Sequence, residues 1–406
     1  MRPLFSRLWL AFRSQSQFVL ERRQTTRLYR PGWRGFCMRS SSICVGIGLL
    51  AILSLPMKPA VASVIAVSAG DVTKGDSNGC SLIDAITAAN QSTTTNMTVA
   101  GCVPIGTPNG GDGGTYTTGT VIKLAAGTYT LTQVNNSWYG ANGLPAIATD
   151  ITIVGDPDGS VIERSTAAGT PTFRFFFVGG GQPLAGYNPP AGAPANDLGG
   201  GAAGMGGAIY NQGVLLLKGA TLADNQALGG EGGGGGLSGG GGLYTAAAGS
   251  AGGSGGIAGS GGAGVLTGAG GNGGIGGGGG LSLGYGVGGT GGYGGGGGGG
   301  GGSAGAGGDG GFGGGGGGSL TPDSAGAGGF GGGAGLSSLG GGGAALGGAI
   351  FNEGGTVNLL NSTLSGNSAR GGTSYYDGAG YGAALFNLNG TITIRYSTLA
   401  NNSVDG

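Results

Sequence analysis

The phrase Gly207-Ala208-Ile209-Tyr210-Asn211 returns as Gly348-Ala349-Ile350-Phe351-Asn352 and again as Ala383-Ala384-Leu385-Phe386-Asn387. Each copy is followed by a β-rich run, a Thr-Leu pair (Thr221-Leu222, Thr363-Leu364, Thr398-Leu399) and, at a fixed offset, Asn225, Asn367 and Asn402. A chain that repeats itself in this way stacks one supersecondary unit on copies of itself, burying a face that no unit can bury alone. The pattern predicts three strands per coil, with small apolar residues facing inward onto the coils above and below. Asn211, Asn352 and Asn387, like Asn225, Asn367 and Asn402, then occupy equivalent corners, where Asn tolerates left-handed backbone and bonds to its counterpart in a ladder. The expected fold is all-β: a right-handed parallel β-helix with three strands per coil, a short N-terminal capping helix and a large Gly-rich insertion. Short runs at 121–124, 129–131, 151–154, 161–162 and 173–178, separated by Gly, Pro, Asn or Asp turns, supply its first coils.

The last two copies lie 35 residues apart and the first two 141. Most of the difference is the Gly-rich stretch 229–346, which should leave and re-enter the coil at one corner. Gly supplies 112 of 406 residues with no strict three-residue period and few Pro, so collagen is excluded. Such a stretch has little to bury and loses much backbone entropy on ordering, which argues for disorder. The alternative is a bundle of extended left-handed glycine helices, bonded to one another through their amides.

Ten of the 17 Lys and Arg residues lie in 1–62, where Glu21 is the only acid; the other 344 residues carry 7 basic and 16 acidic side chains, a net charge of about −9. A chain of that sign is repelled by phosphates, so nucleic acid is not an expected partner. Arg39, the apolar run Ile43 to Leu55 and the small residues Ala60-Val61-Ala62 have the layout of a signal peptide, about 38–62, with the mature chain starting at Ser63. Residues 1–37 are then an extended leader or an overcalled gene start. The alternative is an uncleaved anchor, which would be the chain's one contact with the membrane, although the apolar run is short for a span. Cys80 and Cys102 remain after this removal, and one pair in an oxidising compartment suggests a disulfide. The expected organisation is targeting segment 1–62, cap and first coils 63–185, coil 186–228, Gly-rich insertion 229–346 and coils 347–406, with an incomplete C-terminal end.

Beside Cys80, Ser81 and Asp84 have capping-box-like spacing, and Leu82, Ala85, Ile86 and Ala89 share one side of a short helix. Here the chain resembles the CSLREA domain, whose Cys-Ser-Leu-Arg-Glu-Ala-Ile helix and following Ala-Asn correspond to Cys80-Ser81-Leu82-Ile83-Asp84-Ala85-Ile86 and Ala89-Asn90. Ile83 stands for the family's Arg and Asp84 for its Glu, so any ion pair between those two is altered. The resemblance implies an entry cap for an exported β-helix. The three late repeats also resemble those of polymorphic outer membrane proteins.

A lyase on such a fold needs Arg or Lys beside substrate carboxylates, and a hydrolase needs two opposed carboxylates. Neither constellation is evident in the sequence, and His is absent. Asp156, Asp158 and Glu163 form the densest acidic cluster, but Asp156-Pro157-Asp158-Gly159 has turn chemistry. Calcium ligation there is a lesser reading. Arg164 and Arg174 are the basic pair that coil geometry can align. The expectation is an exported bacterial surface or extracellular, structural or adhesin-like protein: no enzyme, no catalytic residue, no cofactor and no metal. Surface glycans or other cell-surface proteins are its partners, and Tyr375, Tyr376 and Tyr381 offer rings to a sugar. A carbohydrate-active enzyme and an ice- or surface-binding protein are the alternatives.

Overall fold

A computed structural model describes residues 17–21, 63–68, 70, 79–91, 101–102, 120–179, 199–234, 239–243, 268–282, 285–301, 305–321 and 323–406. The apolar run at 43–55 and the small residues 60–62 before the expected cleavage point lie outside these residues, as do residues 180–198. Among the described residues no helix is long and apolar enough to cross a membrane.

The first elements are β1 (Gln17–Glu21), β2 (Ser63–Val67), α1 (Leu82–Gln91), β3 (Thr120–Leu124), β4 (Gly127–Leu131), β5 (Ile151–Val154), β6 (Ser160–Arg164) and β7 (Phe176–Val178). Strands β2, β3 and β5 pair in parallel, as do β4 and β6. The Ser81 hydroxyl starts α1, accepting from the Asp84 amide at 3.0 Å and donating to the Asp84 carboxylate at 2.8 Å. Leu82, Ala85, Ile86 and Ala89 are buried in one cluster with Ile65, Ile122, Leu124 and Ile151. Asn90 ties the far end of the helix to the coil, donating to the Ala146 carbonyl at 2.7 Å and accepting from the Ala148 amide at 3.0 Å.

Three equivalent passes follow. The first comprises β8 (Gly204–Met205), β9 (Ile209–Asn211), β10 (Val214–Lys218), β11 (Thr221–Ala223) and β12 (Gln226–Leu228). The second comprises β13 (Ala345–Leu346), β14 (Ile350–Glu353), β15 (Thr356–Leu360), β16 (Thr363–Ser365) and β17 (Ser368–Arg370). The third comprises β18 (Gly380–Tyr381), β19 (Leu385–Leu388), β20 (Thr391–Arg395), β21 (Thr398–Ala400) and β22 (Ser403–Asp405). Each strand pairs in parallel with its counterpart in the next pass, so that Leu215, Val357 and Ile392 align, as do Thr221, Thr363 and Thr398. The first pass therefore lies directly on the second across 141 residues of sequence. Leu215, Leu217, Leu222, Val357, Leu359 and Leu364 alternate with outward residues and are almost fully buried; each contributes about 1.5–3 kcal/mol on transfer from water.

Among the described residues the regular structure is thus mostly strand, paired in parallel except at β1, with little helix. Each pass has five short strands, however, where the repeat suggested three. Left-handed residues divide it: Gly347, Gly354, Asn361 and Gly366 in the second pass and Gly382, Asn389, Tyr396 and Asn401 in the third all have φ between 49° and 73°. Of these, Gly354, Gly366, Asn389 and Asn401 lie within two positions of a ladder asparagine. The expectation that the ladder asparagines themselves take the left-handed conformation is corrected: Asp224, Gly366 and Asn401 adopt it, each one residue before its ladder Asn.

Two further features depart from the sequence reading. The Gly-rich stretch is ordered where it is described, contrary to the entropy argument. It runs out and back, turning at Gly276, Gly294, Gly313 and Gly331 with φ of 75°, 81°, 78° and 72°. The amides of Gly270, Gly273 and Gly276 donate to the carbonyls of Val287, Thr290 and Tyr293 at 2.8–2.9 Å, and those of Gly288, Gly291 and Gly294 to Ala306, Asp309 and Phe312 at 2.8–2.9 Å. Bonding at every third residue is the interval of the extended polyproline-type helix, here with partners to satisfy its backbone. Other neighbours are bonded too: Gly280 to Gly271, Gly289 to Gly280 and Gly298 to Gly289. A Cβ on Gly278 or Gly315 would collide with the backbone carbonyl of Gly240 or Gly341, so only Gly allows this approach. Many hydrogen bonds of about 0.5–1.5 kcal/mol each offset an entropy loss that side-chain burial does not. The stretch is also no simple surface loop. Gly200 and Gly201 bond into it, and Tyr293 and Phe312 pack on a cluster containing Leu243, Met205, Tyr210, Leu346 and Phe351.

Strand β1, from the segment expected to be leader or overcalled, lies antiparallel between β5 and β10, while every other pairing in that sheet is parallel. Phe176–Val178 pairs with β9, but no described strand follows it to sit between β5 and β10. That position needs hydrogen-bonding partners, and the backbone of Gln17–Glu21 supplies them.

Candidate functional site

The six asparagines are brought together as two ladders. Asn211 donates to Asn352 at 2.7 Å and Asn352 to Asn387 at 2.6 Å; Asn225 donates to Asn367 at 2.8 Å and Asn367 to Asn402 at 2.9 Å. Asn211, Asn225, Asn352 and Asn367 are buried. Asn211, Asn352, Asn367, Asn387 and Asn402 also bond to backbone through their side-chain amides, Asn211 with the Gly213 amide and carbonyl, both at 3.2 Å. Their capacity is spent on the fold, leaving little for a ligand. Cys80 and Cys102 are disulfide-bonded and lie 22 residues apart.

The acidic cluster does not converge. Asp156 accepts from the Asp158 amide at 2.9 Å within a turn closed by the Gly159 amide and the Asp156 carbonyl, while Glu163 accepts from Thr130 at 3.0 Å. Among the described residues no group of three or more His, Cys, Asp or Glu is placed to hold a metal.

Arg164 and Arg174, by contrast, line one cleft of about 410 Å³. One wall comes from Ala141 and residues 172–175; the others come from β8, from residues 224–231 and from Gly242 and Leu243. Strands β8, β11 and β12 are each the first strand of their ladder, so the stack steps here and leaves a notch. Arg174 is 8% exposed. Its Nη2 donates to the Tyr139 carbonyl at 2.8 Å, and the guanidinium lies 5.0 Å from the Tyr210 ring centroid. Its Nη1 has no hydrogen-bond partner. Burial lowers its pKa to about 10, with the electrostatic influence of Tyr210 acting in the opposite direction, and the group stays cationic at neutral pH. Arg164 donates to the Thr170 and Pro171 carbonyls at 3.2 and 3.3 Å, and burial lowers its pKa as well. Asp224 and Glu231 line the same cleft.

Two groups escaped the sequence reading. Tyr210 and Gln212 both donate to Glu353, at 2.5 and 2.7 Å, joining the first pass to the second. Burial above all, with Tyr293 and Glu353 nearby, pushes the Tyr210 phenol well up; burial and Glu353 do the same to Tyr293. The second group is a stack of rings. Tyr293 and Phe312 lie 5.2 Å apart with planes at 7°, Phe312 and Phe330 5.3 Å apart at 9°, and the stack continues to Tyr381 at 5.1 Å. A sequence signal existed for it: Ile275, Tyr293, Phe312 and Phe330 recur every 18 or 19 residues, each followed by Gly.

Phe330, Tyr375, Tyr376 and Tyr381 are 48%, 67%, 47% and 37% exposed. The loop carrying Tyr375 and Tyr376 is tied to the glycine bundle by the Gly342 amide on the Tyr376 carbonyl at 3.0 Å and the Ala379 amide on the Gly331 carbonyl at 2.7 Å.

Comparison with known proteins finds no match to a family model, a curated protein or a solved structure.

Proposed function

We propose that this chain is an exported surface or extracellular scaffold, a right-handed parallel β-helix carrying an ordered glycine bundle, and that it works by adhesion rather than catalysis. The observation that carries this reading is the set of exposed rings, Phe330, Tyr375, Tyr376 and Tyr381, held on backbone that is hydrogen-bonded on both sides. Aromatic faces attract the weakly positive C–H faces of sugars, and rigid rings lose little entropy on binding. Surface glycans are the proposed partners, with protein ligands at the cell surface second. The capping helix and the Cys80–Cys102 bridge support export, since disulfides persist in oxidising compartments.

The enzymatic reading draws on the cleft that gathers Arg164, Arg174, Asp224 and Glu231. A guanidinium that keeps its proton to about pH 10 is a poor general base at neutral pH, which favours binding over turnover. A glycan array, with the full chain and the Tyr375→Ala/Tyr376→Ala variant, tests the adhesive reading. Retention on defined glycans, weakened at least tenfold in the variant, is the expected result. No retention on any glycan or cell surface, or turnover of a polysaccharide, would overturn it.

A further inference from the structure

The stepped cleft contains a cation whose hydrogen-bonding capacity is not used up. We propose that the cleft binds a carboxylate, with Arg174 as the anion-binding group and Arg164 as a second cation at its wall.

Three observations converge. Arg174 is nine-tenths buried and lines the cleft, yet Nη1 has no hydrogen-bond partner, while Nη2 is committed to Tyr139 and the ring of Tyr210 covers one face. A buried guanidinium with an idle nitrogen carries an uncompensated desolvation cost, which an anion relieves. Its orientation is fixed by the Tyr139 carbonyl and the Tyr210 ring, so little ordering remains to be done when a ligand arrives. Planar guanidinium matches planar carboxylate, and a charge-assisted bond of this kind is about twice as strong as a neutral one.

The cleft is large enough for more than an isolated anion, at about 410 Å³. Asp224 and Glu231, which also line the cleft, discriminate against polyanions and favour a ligand with a single carboxylate among hydroxyls. The shared chemistry is the carboxylate, carried by an acidic sugar or by a free small acid. None of these residues belongs to the exposed aromatic set, so the proposal stands apart from the adhesive reading.

The test is calorimetry on the full chain with three probes: monomeric galacturonate, neutral galactose and sodium acetate. The expected result is binding of the acidic sugar at least tenfold tighter than of the neutral one, weakening with added salt. Acetate binding as tightly would support the site and assign it to free acids. Arg174→Gln should abolish binding, and Arg174→Lys should weaken it about tenfold through loss of the planar fork. Should Arg174→Gln fail to fold, Arg164→Gln decides: it lies at the wall and should weaken binding severalfold with an unchanged melting curve. Absence of carboxylate binding at millimolar concentrations, or binding unaltered in the Arg variants, would overturn the proposal.

Discussion

At the residue scale, the ladder positions are not equivalent, because burial differs along each ladder. Asn352 accepts from Asn211, donates to Asn387 and to the Gly355 carbonyl at 3.0 Å, and is fully buried; Asn387 is exposed. Asn352→Ala should therefore cost about 2–3 kcal/mol by stranding buried partners, and Asn387→Ala about 1 kcal/mol or less. Urea unfolding of the two variants checks the difference, and equal losses would contradict the ladder geometry. Tyr396 shares a left-handed corner with Gly219 and Asn361 and is 87% exposed. Relief of its backbone strain should make Tyr396→Gly more stable by about 1 kcal/mol, read as a higher melting temperature. The asparagine ladders were legible in the sequence because their offsets repeat. Arg174 was legible only as a residue to watch, since its partners Tyr139 and Tyr210 lie 35 and 36 positions away on other passes and no local pattern links them.

At the element scale, the disulfide closes the chain around α1, and a crosslink of 22-residue separation contributes about 3 kcal/mol in the chain-entropy account. Reduction should lower the melting temperature, with α1 losing its amide protection before the β10–β15 pairing does. The antiparallel strand β1 makes another measurable claim. Removing residues 1–62 takes the partner from facing edges of β5 and β10, so amides within Ile151–Val154 and Val214–Lys218 should exchange faster in the shortened chain. Unchanged exchange would show that Gln17–Glu21 does not hold that place. The strands of the repeated passes could be read from period and turn residues. This rung could not, because its pairing is set by a vacancy in the sheet rather than by any motif in the segment.

At the scale of the whole molecule, the stacked passes and the glycine bundle share one apolar cluster, in which Leu243 joins Met205, Tyr210, Leu346 and Phe351, with Tyr293 and Phe312 packed against it. The passes were visible in the sequence through their repetition. The bundle was not, because side-chain burial is the usual currency of folding and glycine has none to offer; its order rests on backbone hydrogen bonds between segments about 9 and 18 residues apart. The central claim is therefore that the described residues between 268 and 339 are held in a hydrogen-bonded bundle that is continuous with the parallel ladders. Hydrogen exchange read across the full chain tests it most directly. Protection of the Gly270–Gly335 amides comparable to that of Val214–Lys218 and Thr356–Leu360 is the predicted result. Complete exchange of the glycine amides at the earliest time point, with the ladders still protected, would contradict it.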